Sequence, residues 1–204
     1  MSGTPEVETL SSRTVYRNRW LAVREDAIRR GDGREGLYSV IEKPDFAVVV
    51  PVEPDGSVHL VEQYRYPVGS RQWELPQGVS AAANGDPLAT AHAELAEETG
   101  LTAARMTDYG RLFLAYGFTA QAYTVFVAEG LSAGPAALDP EEHGLISRRF
   151  AWDEVSRMLA DGTIMDGVTH AVFGLLAVKG WRPPGIYSRR ASSTSITGTP
   201  SRIG

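Results

Sequence analysis

The chain has 204 residues, 43% hydrophobic and 22% charged, with a formal net charge of −5 and no cysteine. That length buries a full core without a staple, and the composition is that of an ordinary globular domain with short appendages. Disulfides and thiolate metal sites are excluded, no basic cluster marks a nucleic-acid footprint, no apolar run approaches the roughly 18 residues of a membrane span, and the polar start MSGTPEVETLSSR lacks a signal-peptide core, so a cytoplasmic protein is expected.

In chain order, residues 1–13 are polar and aperiodic and read as a flexible arm. Segments 20–30 and 37–42 flank the turn cluster Gly31-Asp32-Gly33 and read as strands. FAVVVPV (46–52) is a continuous apolar run that suits a buried strand. The turn Pro54-Asp55-Gly56 and the alternating SVHLVEQYRY (57–66) predict its hairpin partner. WELPQG (73–78) reads as a strand ending in a loop, 87–99 as a helix, and 108–114 and 122–128 as two more strands. Asp153 is placed to cap a helix over 154–161 that stops at Gly162, and 168–179 read as an apolar-faced helix. The Ser/Thr/Gly-rich tail after Pro183-Pro184 is expected to be disordered. Strands interrupted by helices imply an α+β sandwich with a mixed sheet rather than regular βαβ winding. The organisation expected is an arm (1–13), a strand region (14–42), a main domain (43–182) and a tail (183–204).

The chemistry-bearing stretch is GVSAAANGDPLATAHAELAEETGL (78–101). Asp86 suits an N-cap, Pro87 the first helical position and Gly100 the C′ position. At about 100° per residue, Glu94, Glu97 and Glu98 share one arc beside an apolar stripe of Leu88, Ala91 and Leu95. His92, near that stripe, reads as a packing residue, and the four histidines have no ligand spacing. Like charges at this spacing, and at the negative end of the helix dipole, cost roughly a few tenths of a kcal/mol each. A solvated acidic face is the plain reading; a site for a hard cation is the sharper one, and oxygen ligands suit Mg²⁺.

With a Gly-bearing loop and a strand before it, this stretch resembles the box of the Nudix family, supplying Gly78, Glu94, Leu95, Glu97, Glu98, Gly100 and Leu101. EQYRYPVGSRQWELPQG (62–78), YGFTAQAYTVFVA (116–128) and ADGTIMDGVTHAVFGLL (160–176) resemble the ADP-ribose pyrophosphatase branch, so the likeness covers about residues 14–180. Three positions depart from the pattern: Ala93 stands for the box arginine, the Gly85 region lacks the early glutamate, and Gln121 stands for the glutamate of Gly-Phe-x-x-Glu.

The resemblance implies a Nudix α/β/α sandwich and Mg²⁺-dependent, or Mn²⁺-dependent, hydrolysis of a nucleoside diphosphate joined to another group, such as ADP-ribose or a nucleotide sugar. It implies Glu94, Glu98, Glu97 and the Gln77 carbonyl as metal ligands, and a late-loop base at Glu142 or, second, Glu141. Arg65 is the implied phosphate contact, and Tyr64, Trp20 and Gln121 are further candidates for substrate contact. Tyr66 and Trp73 are other aromatics that could stack on a base or simply fill the core. A homodimer through residues 14–42 is also implied, with no nucleic-acid or membrane partner. A Nudix-fold binding or regulatory module with weak or no hydrolysis is the alternative.

Overall fold

The computed structural model describes residues 6–79, 83–134 and 144–185. Its strands are β1 (Val7–Arg17), β2 (Ala22–Arg30), β3 (Glu35–Glu42), β4 (Phe46–Pro51), β5 (Val58–Arg65), β6 (Ser70–Glu74), β7 (Gln77–Gly78), β8 (Leu101–Phe113), β9 (Ala122–Ala133) and β10 (Ile146–Phe150). The helices are α1 (Pro87–Thr99), α2 (Trp152–Ala160) and α3 (Gly167–Val178). Three sheets result, ordered β1-β2-β3, β10-β5-β6 and β7-β4-β9-β8. The third is mixed, because β4 runs parallel to β9 and antiparallel to β7. The fold is the expected α+β class, and among the described residues no helix is long and apolar enough to cross a membrane.

The Val-rich run of β4 is apolar throughout because both of its faces are covered. Ala47 and Val49 pack with Ala91 and Leu95 of α1 and with Phe126 and Ala128 of β9. Val48 and Val50 face the opposite way, into a larger cluster with Leu60, Phe150 and the α2 and α3 residues Val155, Val172 and Leu176. The period-2 alternation of a strand thus divides one run between two cores.

Four expectations are corrected. Residues 7–13, expected within a flexible arm, lie in strand β1, which pairs antiparallel with β2. All eleven residues of β1 are exposed, so burial left no periodicity to read. The hairpin of β4 and β5 fails: after the tight bend closed by Glu53 N donating to Ser57 O (2.9 Å), β5 joins β6 and β10, and Val52–Val58 is an isolated bridge. The 73–78 strand is broken at Leu75-Pro76 into β6 and β7, with the Pro76 carbonyl accepting from Val49 N at 2.9 Å. Helix α2 starts from an extended Ala151, not from an Asp153 cap; Asp153 and Glu154 sit in its first turn, where negative charge complements the dipole. Strand β10 was not anticipated. The tail expected after 183 lies mostly outside the described residues.

Candidate active site

Helix α1 begins and ends where its sequence directs. Asp86 accepts from Leu88 N at 2.9 Å, Pro87 opens the first turn, and Gly100 closes the helix at φ 68°, donating to Ala96 O. Its buried face is Thr90, Ala91, Glu94, Leu95 and Glu98. An apolar row, 91 and 95, therefore runs beside a polar row, 90, 94 and 98, each spaced by four. Two expectations are corrected here: Leu88, expected in the apolar stripe, is exposed, and so is His92, expected to pack beside it.

Glu94 and Glu98 retain 4% and 3% exposure, which a carboxylate tolerates only when its oxygens are engaged. Both meet the backbone of β7. Gln77 N donates to Glu98 Oε2 at 3.0 Å. The Glu94 carboxylate lies over Gly78 so closely that a Cβ there would fall 2.4 Å from Oε2. A side chain at 78 would have to displace that carboxylate, so glycine is what lets Glu94 lie against β7. Glu97 is half-buried, off this row.

Beyond β7 opens a cavity of about 640 Å³, large enough for a nucleotide-sized ligand. Gln77 and Gly78 form one lip, Arg65 and Glu74 one wall, Gln121 another, and Asp166 stands at the start of α3. Arg65 donates through Nε to Glu74 Oε2 at 3.2 Å and through Nη2 to Oε1, which also accepts from Gln63 Nε2 at 2.8 Å. Burial pushes the Glu74 carboxyl above its usual range; the Arg65 charge pulls it back in part, and nearby Asp166 raises it. Asp166 caps α3 by accepting from Thr169 N (2.8 Å) and Thr169 Oγ1 (2.7 Å), and takes Gln77 Nε2 at 3.3 Å. Thr169 Oγ1 in turn accepts from Leu75 N at 3.0 Å, so the α3 start is tied to the β6–β7 corner.

Of the residues expected at the site, Arg65, Gln77 and Gln121 line the cavity, and Glu94 and Glu98 back its lip. Tyr64 is exposed and outside the lining. Trp20 is exposed beside a smaller recess, with the Arg19 guanidinium carbon 4.1 Å from its ring centroid. Tyr66 is 86% exposed, and Trp73 packs edge-on against Phe150. Glu141 and Glu142 lie outside the described residues. Sequence reasoning missed Glu74, Asp166 and Lys43. Asp166 before Gly167 carried a cap signal; the other two had none.

The donor chemistry suits a hard cation. The chain has no cysteine, and among the described residues His59 pairs with Glu53, His170 is bonded to the Ile164 carbonyl and exposed His92 is outside the cavity lining, so oxygen is what they offer there. Among the described residues, no three His, Asp or Glu side chains converge as a ready-made cage. Carbonyl and water oxygens would complete the shell, as is usual for Mg²⁺.

Residues 7–41 match the nucleoside diphosphate sugar hydrolase N-terminal domain, and residues 42–169 match the NUDIX domain. The chain is 32% identical over 174 residues to an ADP-ribose pyrophosphatase of Mycobacterium tuberculosis, covering 85% of this chain and 83% of that protein. It is 27% identical over 127 residues to an ADP-ribose pyrophosphatase of Bacillus subtilis, covering 62% and 68%. Over 167 residues it is 27% identical to a methanol dehydrogenase activator of Bacillus methanolicus, covering 80% and 89%. A crystal structure of an ADP compounds hydrolase shares the fold at a TM-score of 0.76 and 20% identity, covering 88% of this chain and 98% of that one.

Proposed function

The chain belongs to the Nudix hydrolase family, and we propose that it hydrolyses the pyrophosphate bond of a nucleoside diphosphate joined to another group, ADP-ribose or a nucleotide sugar, with Mg²⁺ or Mn²⁺ as cofactor. The observation that carries this reading is the pairing of Glu94 and Glu98, both buried, against β7 at the lip of the cavity. With Glu74 and Asp166 in the cavity lining and Glu94 and Glu98 behind its lip, a diphosphate is poorly accommodated there unless a cation is added.

Glu94, Glu98 and the Gln77 carbonyl, assisted by Glu97, would hold that cation, which supplies charge neutralisation at the phosphate oxygens. The chain's own residues do the rest. Glu74 holds Nε and Nη2 of Arg65, leaving Nη1 to receive a phosphate oxygen. Asp166, by holding Gln77 Nε2, fixes the lip. Glu142, or Glu141 in its place, takes the proton of the attacking water, and in-line attack gives a nucleoside monophosphate and a phosphorylated product. Strand β1, exposed along its whole length at the edge of the β1-β2-β3 sheet, supports assembly as a homodimer.

The test is a hydrolysis screen over dinucleotides and nucleotide sugars, with products identified by chromatography, using wild type and Glu98→Gln. The variant should lose about a hundredfold or more in kcat/KM while its circular dichroism is kept. Retention within about threefold, under roughly 1 kcal/mol, removes Glu98 from the site. Cleavage of none of the set by wild type favours a nucleotide-binding module instead.

A further inference from the structure

We propose that Lys43 holds the phosphate of the ligand distal to the α1 carboxylates, at the junction of two cavities, and that Gln121 is the positioning residue that fixes it there. The inference rests on the diphosphate reading above and adds how the second half of the ligand is held.

Lys43 lies in the connector between β3 and β4 and borders both the large cavity and a second recess of about 290 Å³, which Arg17, Trp20 and Pro44 also line. The other cation of the large cavity, Arg65, is engaged by Glu74. Among the described residues, Lys43 has no ion pair. Its chain neighbour Glu42 is taken by Arg24 at 2.6 Å, with Arg17 at 3.7 Å. An ammonium left unpaired between two cavities, one of them bordered by carboxylates, is suited to an anion that spans both.

Its backbone is held on both sides. Before it, Ile41 N donates to Phe118 O at 2.8 Å. After it, the Pro44 carbonyl accepts from Gln121 Nε2 at 2.6 Å. Asp45 then accepts from Ala122 N at 2.8 Å and from Arg111 at 2.7 Å. A flexible side chain is thus carried on a rigid base. Gln121 is 5% exposed, and its amide supplies the donor that the Pro44 carbonyl accepts. A glutamate would set a carboxylate oxygen against the Pro44 carbonyl and place a negative charge in the cavity that Lys43 borders. The glutamine that departs from the Gly-Phe-x-x-Glu pattern is therefore a working substitution in this chain.

The experiment compares Lys43→Gln, Lys43→Arg, Gln121→Glu and the Lys43→Gln/Gln121→Glu pair with wild type. It uses ADP-ribose or the best-cleaved diphosphate of the screen with Mg²⁺, and follows each variant's melting temperature. Lys43→Gln should raise KM about tenfold, a loss of about 1.4 kcal/mol, with a smaller change in kcat. Lys43→Arg should return KM to within about threefold of wild type. Gln121→Glu should raise KM as well, and the pair should be no worse than its poorer member, because both act at one point. A KM for Lys43→Gln within about twofold of an active wild type overturns the inference alone, as does Lys43→Arg behaving like Lys43→Gln. Gln121→Glu that melts lower without raising KM assigns Gln121 to the fold and overturns its positioning role. Wild type that cleaves no member of the set overturns the hydrolase reading and this inference with it.

Discussion

Glu74 is a carboxylate taken almost out of water, with 2% exposure and Arg65 as its counter-charge. Burial is the largest influence on its titration and holds its pKa above the ordinary carboxylate range, making it a weaker acid. Between the unfolded value and the raised folded value, the folded chain binds more protons. The stability attached to Glu74 is therefore present at low pH and declines as pH rises through that window. Glu74→Gln removes the titration. The stability of the variant relative to wild type, measured by urea denaturation from about pH 4 to about pH 8, should shift in the variant's favour as pH rises. A difference constant across the range would contradict the raised pKa of Glu74. At this scale the sequence was informative where chemistry is written contiguously: Glu94, Glu98, Gln77, Gly78 and Gln121 all lie in local patterns. Lys43, Glu74 and Asp166 are single polar residues brought to the cavity from three separate elements, and no local spacing links them.

Among the elements, α1 was legible because its boundaries are set by its own residues: a cap, a proline and a left-handed glycine. Strand pairing is set by distant residues, which is why β4 and β9 were recognised as strands while the pairing of β4 with β9 and β7 was not. Strand β1 was illegible for the opposite reason. Both its faces are open, so it carries no hydrophobic period. Val15, Tyr16, Leu37 and Tyr38 stay exposed on the β1-β2-β3 sheet, more apolar surface than a strand region needs for its own folding. Covering by a second copy is the occupant expected from the family resemblance. Light scattering coupled to size exclusion should give about twice the chain mass of 22.1 kDa, and deletion of residues 1–17 should lower it towards the single-chain value. A full-length chain that elutes at single-chain mass across micromolar concentrations would contradict the dimer.

Taken as one molecule, the chain places an acidic helix against one face of β4 and builds the larger core on the other, leaving the cavity beside the β4–β7 edge. Phe46 and Tyr123, paired at the start of the parallel strands, stack at 5.1 Å beneath that edge. A net charge of −5 and a cavity rimmed by carboxylates are poor material for binding an anion unaided. On the proposed reading, Arg65 and Lys43 would answer part of that deficit, and a divalent cation held at α1 and β7 would answer the rest. The most direct measurement is mononucleotide release from ADP-ribose or the best-cleaved nucleotide sugar, before chelation, in excess EDTA, and after Mg²⁺ is returned. Turnover should vanish with the chelator and recover with Mg²⁺; turnover undiminished in excess EDTA would contradict the account.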